Sequence, residues 1–418
     1  MSQNAACIPH IIDQHAEEAA FLWLLRDSAV AEPHYSLKDL ATLDNRIEAN
    51  LDGLRIADDA GWQACLRNLE IGEPGELFAA SVLAFERGEG KGIDRVVSAA
   101  GATPENFRAL VSALGWIDYS RIEGLLGRLL AANSAAYRRI GIAACAVHRR
   151  DPGQVLEQAI EASYPPQAAR ALKAVGELKR RDLLPLLAKQ LRSPDPACRF
   201  RAAWSAVLLG ERLQAIEVLK GFAVTQSRFC EPALQLVLRS LGVQQAQLWL
   251  KQQAQHADWF RFLVISAGIT GNPAYIPWLI KQMEKPLFAR VAGEAFSMIT
   301  GVDLAYEDLE GEWPEEFEAG PGEDSQDEDV AMDEDEDLPW PAPRLIAAWW
   351  QAHQGMFQAG TRYLVGRPIT AGHCRQLLVT GLQRQRRAAA LELALMDPAA
   401  PLFEVRAPGF VQQRLLGV

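Results

Sequence analysis

A chain of 418 residues with 49% hydrophobic residues has enough apolar material for two or three domains or one long array. Its formal net charge of −11 argues against a nucleic-acid-binding protein. No stretch approaches the roughly 20 uninterrupted apolar residues that cross a bilayer, so a membrane-spanning chain is excluded.

Residues 1–60 read as an N-terminal helical cap. AEEAAFLWLLRDSAV is an amphipathic helix, and YSLKDLATLDNRIEANLDGLRIAD is a second, long one. Ser36 is placed to cap that second helix, with Asp39 three residues on. The opening residues lack a basic start, and Glu17 and Glu18 precede the apolar run, so they do not read as a signal peptide. Cys7, Cys65, Cys145, Cys198, Cys230 and Cys374 are scattered without a CxxC pair, which predicts buried, reduced thiols and a cytoplasmic protein.

Residues 61–301 carry a repeat. Gly210, Gly242, Gly271 and Gly301 follow one another at spacings of 32, 29 and 30 residues, and each closes an apolar helical run. Glycine suits a helix C-terminus because it tolerates the left-handed conformation there. A period of about 30 residues with this ending predicts an array of helix pairs, roughly seven or eight of them. The clearest unit is Asp182–Arg212: LLPLLAKQL is its first helix, SPDPA its turn, and CRFRAAWSAVLLG its second helix. In that second helix Ala202, Ala203 and Ala206 would admit a neighbouring helix closely, and Trp204 and Leu208 would lie between repeats. Upstream, Gly115 ends ALVSALG, and the pairs Ala146-Val147, Ala174-Val175 and Ala206-Val207 recur at spacings of 28 and 32. Pro232, Pro273 and Pro286 mark later helix starts.

Residues 302–340 change character. The stretch 303–337 holds 18 Asp/Glu and no Lys or Arg. Setting those aside leaves 35 acidic against 42 basic residues, a balance of +7 over the rest of the chain. So much like charge with so few apolar residues predicts an acidic flexible segment, pinned at its ends by Trp313, Phe317 and Trp340. Residues 341–418 read as a C-terminal helical cap docked on the last repeats. It comprises a helix in PAPRLIAAWWQAHQGMF, an extended connector in TRYLVGRPI, and two helices around Gly381.

The chain shows no GxSxG, P-loop or GxGxxG, and the adjacent His373 and Cys374 lack a second ligand pair. The expectation is a binding protein rather than an enzyme, with no cofactor and no metal. Two charged surfaces are the candidate partner-binding sites. One is a basic stripe along the array, built from clusters at turns and second-helix starts (Arg138-Arg139, Arg149-Arg150, Lys179-Arg180-Arg181, and Arg199 with Arg201), of which Arg138, Arg139, Arg199 and Arg201 are the site candidates, with Arg139 and Arg199 in equivalent places. The other is the acidic segment, through Glu323, Asp324, Asp327, Glu328 and Asp329, which either reaches a basic partner or folds back on the basic stripe. Few aromatic residues accompany the arginines, so nucleic acid is not the expected partner.

The unit RFRAAWSAVLLGE resembles HEAT repeats, especially the short HEAT-like units of phycobilisome lyases. A resemblance over nearly the whole chain is carried by QHAEEAAFLWLLRD and HYSLKDLATLDNRIEANLDGLRIAD at the start, and by WWQAHQGMFQAGTRYLVGRP and QRQRRAAALELALMDPAAPLFEVRAPGFVQQRLLGV at the end. These strings are similar to a proteobacterial HEAT-repeat family encoded near type VI secretion spike and toxin genes. The resemblance implies an all-α, HEAT-like solenoid with helical caps, and a secreted toxin or its loading machinery as partner. It supplies no catalytic residues. The function expected is that of an immunity protein gripping its cognate toxin. The alternatives are an adaptor that loads a toxin on the spike, and an enzyme whose site the sequence does not display.

Overall fold

The computed structural model describes residues 8–314, 317 and 333–418. Its described residues form twenty-two α-helices, a few single 3-10 turns and one two-residue β-ribbon, so the fold is an all-α helical-repeat solenoid. The chain divides into two units. The first gathers the residues up to Glu211 with Val379–Arg386 and Asp397–Val418; the second gathers Arg212–Leu378 and Arg387–Met396.

In the first unit, α1 (Pro9–Ala29) packs on α2 (Leu37–Ile56), and five helix pairs follow. They are α3 (Asp59–Asn68) with α4 (Pro74–Arg87), α5 (Gly90–Ala100) with α6 (Pro104–Trp116), and α7 (Tyr119–Ala131) with α8 (Ala135–Val147). Then come α9 (Gln154–Ile160) with α10 (Pro165–Leu178) and α11 (Leu184–Gln190) with α12 (Pro196–Leu208). The second helices stack in the order α4, α6, α8, α10, α12, and α1 covers the free side of α4. Ser36 caps α2 as expected: its Oγ accepts the Asp39 amide at 3.3 Å while Asp39 accepts the Ser36 amide at 2.9 Å. Such a box contributes about 1 kcal/mol.

The stack is close because the contact faces are small. Ala202, Ala203 and Ala206 are buried. Gly176 of α10 lies so near α12 that a Cβ there would meet Ser205 Oγ at 2.5 Å. Ser205 then satisfies its own hydroxyl on the Leu172 carbonyl at 2.6 Å. Trp204 and Leu208 are buried, as their positions in the repeat predict.

The second unit holds three pairs: α13 (Gln214–Ala223) with α14 (Cys230–Ser240), α15 (Val243–Gln253) with α16 (Phe260–Thr270), and α17 (Ile276–Gln282) with α18 (Pro286–Thr300). Pro286 opens α18, and Pro273 opens the 3-10 turn before α17. Gly271 and Gly301 end α16 and α18 at φ +66 and +74. These glycines have a second reason. A ribbon of β1 (Tyr363–Leu364) and β2 (Arg367–Pro368) lies against both helix ends, and a Cβ on Gly271 would meet the Tyr363 carbonyl at 2.2 Å. The Tyr363 amide donates to the Gly271 carbonyl at 2.7 Å. The expected extended connector is therefore this ribbon.

Three expectations are corrected. Gly242 is extended, at φ −67 and ψ 157, and caps the start of α15 rather than ending α14. Gly115 lies inside α6, beside Val147, rather than beyond its end. The last correction concerns the tail. After α19 (Pro343–His353), α20 (Ala371–Thr380) and α21 (Gln383–Met396), the chain does not remain on the last repeats. Residues 397–418 belong to the first unit, and α22 (Gly409–Leu416) packs on α2. Its Phe410 stands edge-on to Trp116 at 5.6 Å, extending an aromatic cluster that runs through Phe78 to Trp23. Aromatic burial at the opening helices outcompetes the sequence-adjacent docking site.

Candidate partner-binding surface

The four candidate arginines of the predicted stripe are half-buried and engaged within the fold. Arg138 reaches back to the turn before its own helix and donates to the Ala132 and Asn133 carbonyls at 2.6 and 2.9 Å. Arg199 does the same to the Ser193 and Pro194 carbonyls at 2.6 and 3.4 Å. The equivalent residues are therefore Arg138 and Arg199, one position away from the expected pairing of Arg139 with Arg199. Their role is repeated: a guanidinium fork closes the turn between two helices by satisfying carbonyls that a helix end leaves without partners. Arg139 instead lies flat on Phe107, 3.5 Å from the ring centroid, and burial lowers its pKa. Arg201 sits over the Phe200 ring at 5.2 Å.

Glu323, Asp324, Asp327, Glu328 and Asp329 lie outside the described residues. The chain on either side of them is described, and forms a neck. Gly311 N donates to the Trp340 carbonyl at 2.7 Å and Ala342 N to the Leu309 carbonyl at 2.8 Å, so the two flanks run antiparallel. Trp313, Phe317 and Trp340 meet one another at 5.1–5.8 Å between centroids, as expected of residues that pin the ends. Into this cluster α18 sends Arg290, whose guanidinium lies 4.9 Å from Trp313 and 5.4 Å from Trp340. Arg290 also pairs with Asp333 at 2.6 Å and donates to the Asp335 carbonyl at 2.9 Å. From α16, Arg261 holds both Asp335 carboxylate oxygens at 2.8 and 2.7 Å, a bidentate fork. Burial raises the Asp333 pKa, but the Arg290 hydrogen bond and charge bring it below the usual carboxylate value. Asp333 and Asp335, on the flank that follows the undescribed residues, thus pair with arginines of their own repeats. The arginines they meet are Arg261 and Arg290, which sit within apolar runs (FRFLV and FARVA) and were not among the predicted site residues. That setting is the sequence signal: a charge on a packed helix face requires a counter-charge.

The backbone conformation of two further cations of the basic turns escaped the sequence reading. Arg149 and Lys179 end α8 and α10 with φ of 54 and 58, a conformation that favours glycine. Lys179 spends its ammonium on the Leu208 carbonyl of the next repeat at 2.7 Å. Burial pushes its pKa down to about 8.

Other chemistry-bearing residues serve the fold. His15 pairs with Asn50 at 2.9 Å, and His373 with the Leu364 carbonyl at 2.7 Å. Burial raises the thiols of Cys65 and Cys198 to about 12, which makes them poor nucleophiles. Among the described residues no three His, Cys, Asp or Glu side chains gather as a metal set, and no helix is long and apolar enough to cross a membrane.

No curated protein matches the chain. The family model for HEAT repeats matches residues 153–230, a stretch that spans the α9/α10, α11/α12 and α13 helices and contains the Asp182–Arg212 unit. The helix pairs over residues 153–230 are thus similar to HEAT repeats, and repeats of that kind generally serve as scaffolds that bind other proteins.

Proposed function

We propose that this chain is a non-catalytic, cytoplasmic HEAT-like scaffold that acts as an immunity protein, binding and neutralising a cognate type VI secretion toxin. The toxin association rests on the family resemblance carried by the opening and closing strings. The binding role rests on the helix-pair array and its HEAT match. The observation that carries the choice of surface is the neck. Its two flanks are zipped together and locked by Arg261 and Arg290, and Glu323, Asp324, Asp327, Glu328 and Asp329 lie between those flanks in the sequence. A dense run of carboxylates suits a basic partner surface and acts chiefly on the rate of association. Arg138, Arg139, Arg199 and Arg201 are the second surface, and are less suited because their guanidinium groups already serve the repeats.

The test is co-purification with the product of the neighbouring toxin gene, together with rescue of cells expressing that toxin. Deletion of residues 318–332 spares the neck. It should slow association by about tenfold and flatten its salt dependence, as expected when a charged steering surface is removed. Normal survival of cells that lack this chain, with secretion of the toxin lost, would assign the adaptor role instead. Rescue that requires no binding would point to an enzyme.

A further inference from the structure

Three successive second helices of the first unit end in one backbone motif. The Arg150, Arg180 and Glu211 amides donate to the Cys145, Val175 and Ala206 carbonyls at 2.8, 3.1 and 2.9 Å. This places Arg149, Lys179 and Gly210 in the left-handed conformation, in register at spacings of 30 and 31 residues. Glycine fits that conformation without strain, as Gly210 does. Arg149 and Lys179 keep side chains there, and in both cases the side chain is used.

The tail lies along this row of helix ends. Arg149 donates through Nε to the Leu402 carbonyl at 2.7 Å and pairs with Glu404 at 3.4 Å. The Leu402 amide donates to the Glu177 carbonyl at 3.2 Å. At the end of α1, Arg26 donates to the Arg406 and Ala407 carbonyls, both at 2.7 Å, while its Nε holds Asp44 at 2.9 Å. Asp44 accepts the Gly409 amide, and Asp27 pairs with the Arg406 guanidinium. The first unit therefore reads four carbonyls and two amides of this segment, the Val405 carbonyl through Gln383 Nε2 at 3.3 Å, and the segment turns at 404–407, where the Ala407 amide donates to the Glu404 carbonyl at 3.2 Å. It adds one contact to a carboxylate and one to a guanidinium two residues later. Ahead of this segment, Pro398 and Pro401 have no amide, and Ala399 donates its own to Asp397 at 2.9 Å. Lifting the segment breaks no helix ladder.

We propose that this row of helix ends is a peptide-binding surface occupied in cis by the chain's own tail. The partner it fits is a segment that turns as the tail does and carries a carboxylate two residues ahead of an arginine or lysine. The proposal is independent of the toxin reading, because its probe is the tail sequence itself. A labelled peptide of residues 397–418 is titrated into the full chain and followed by fluorescence anisotropy. Saturable binding is expected. Weakening the resident tail with Leu402→Pro and Glu404→Gln should raise the apparent affinity by about tenfold, because the groove is no longer taxed by a competitor. Adding Arg149→Gly, which suits the left-handed backbone, should cost about tenfold in that background, as loss of a charge-assisted contact does. A peptide with the charges at positions 404 and 406 exchanged should bind as weakly. Equal affinity across these variants would overturn the proposal. In the unmodified chain, excess peptide should speed hydrogen exchange at the Leu402 amide, and an unchanged rate would also overturn it. Concentration-dependent dimers in sedimentation equilibrium would assign the surface to a second copy and overturn the heterologous partner.

Discussion

At the scale of single residues, packing between second helices dominates. Trp204 is 7% exposed on α12. Trp204→Ala should therefore cost about 3–5 kcal/mol in urea unfolding, the range for truncating a buried large aromatic. A cost under about 1 kcal/mol would mean that the indole contributes little to the interface. Gly176→Ala acts in the opposite sense, by overfilling. The new methyl would stand 2.8 Å from Ser205 Cα, so the helices must separate, and about 1–3 kcal/mol should be lost. Lys179 carries a pH signature. Burial lowers its pKa from 10.5 to about 8, so between those values the unfolded chain holds a proton that the folded chain has released. Stability must then rise with pH across that window, by up to about 3 kcal/mol for a shift of this size. The difference between wild type and Lys179→Met, measured by denaturant midpoints from pH 7 to 10.5, should show that slope and vanish in the variant.

At the scale of elements, the acidic neck and the glycine-ended helices show how local sequence and tertiary context divide the work. Arg290 is 3% exposed and serves one carboxylate, one carbonyl and an aromatic cluster. Arg290→Ala removes the partner of the Asp333 carboxylate and of the Asp335 carbonyl, and leaves Arg261 alone to hold the flank. Hydrogen exchange at the Gly311 and Ala342 amides, which zip the neck, should accelerate by at least about tenfold, as for the loss of a partner to a buried charge. Exchange within α16 and α18 should change far less. Equal acceleration everywhere would mean global destabilisation and no separate neck. The helix endings are partly legible in sequence. Gly271 and Gly301 are where the period places them, because the left-handed turn demands glycine and the ribbon leaves no room for a side chain. The same ending at Arg149 and Lys179 was missed, since nothing in a sequence marks a left-handed residue that is not glycine. The Ala-Val pairs misled for the same reason: the structural register runs through Cys145, Val175 and Ala206.

At the scale of the whole molecule, the sequence by itself determined the class of the protein. Helical periodicity, proline at helix starts and glycine at their ends are local effects, each set by a few neighbouring residues, and they suffice to specify an array of helix pairs with a HEAT-like centre. The imbalance between an acidic stretch of 18 carboxylates and a body of +7 is likewise a property of composition. Tertiary structure alone decided which charges are available. Arg138 and Arg199 look like a surface stripe in one dimension, yet they close the turns of their own repeats, while Arg261 and Arg290 look like core residues and hold the acidic flank. It also decided where the tail goes. Sequence order favours the nearest repeats, but Phe410 finds Trp116, and Arg26 finds the 406 and 407 carbonyls, some 380 residues away along the chain. The physical reason is the same in each case: a helix start, a turn or a stop is chosen by local backbone energetics, whereas the partner of a guanidinium or an aromatic ring is chosen by whatever burial brings beside it.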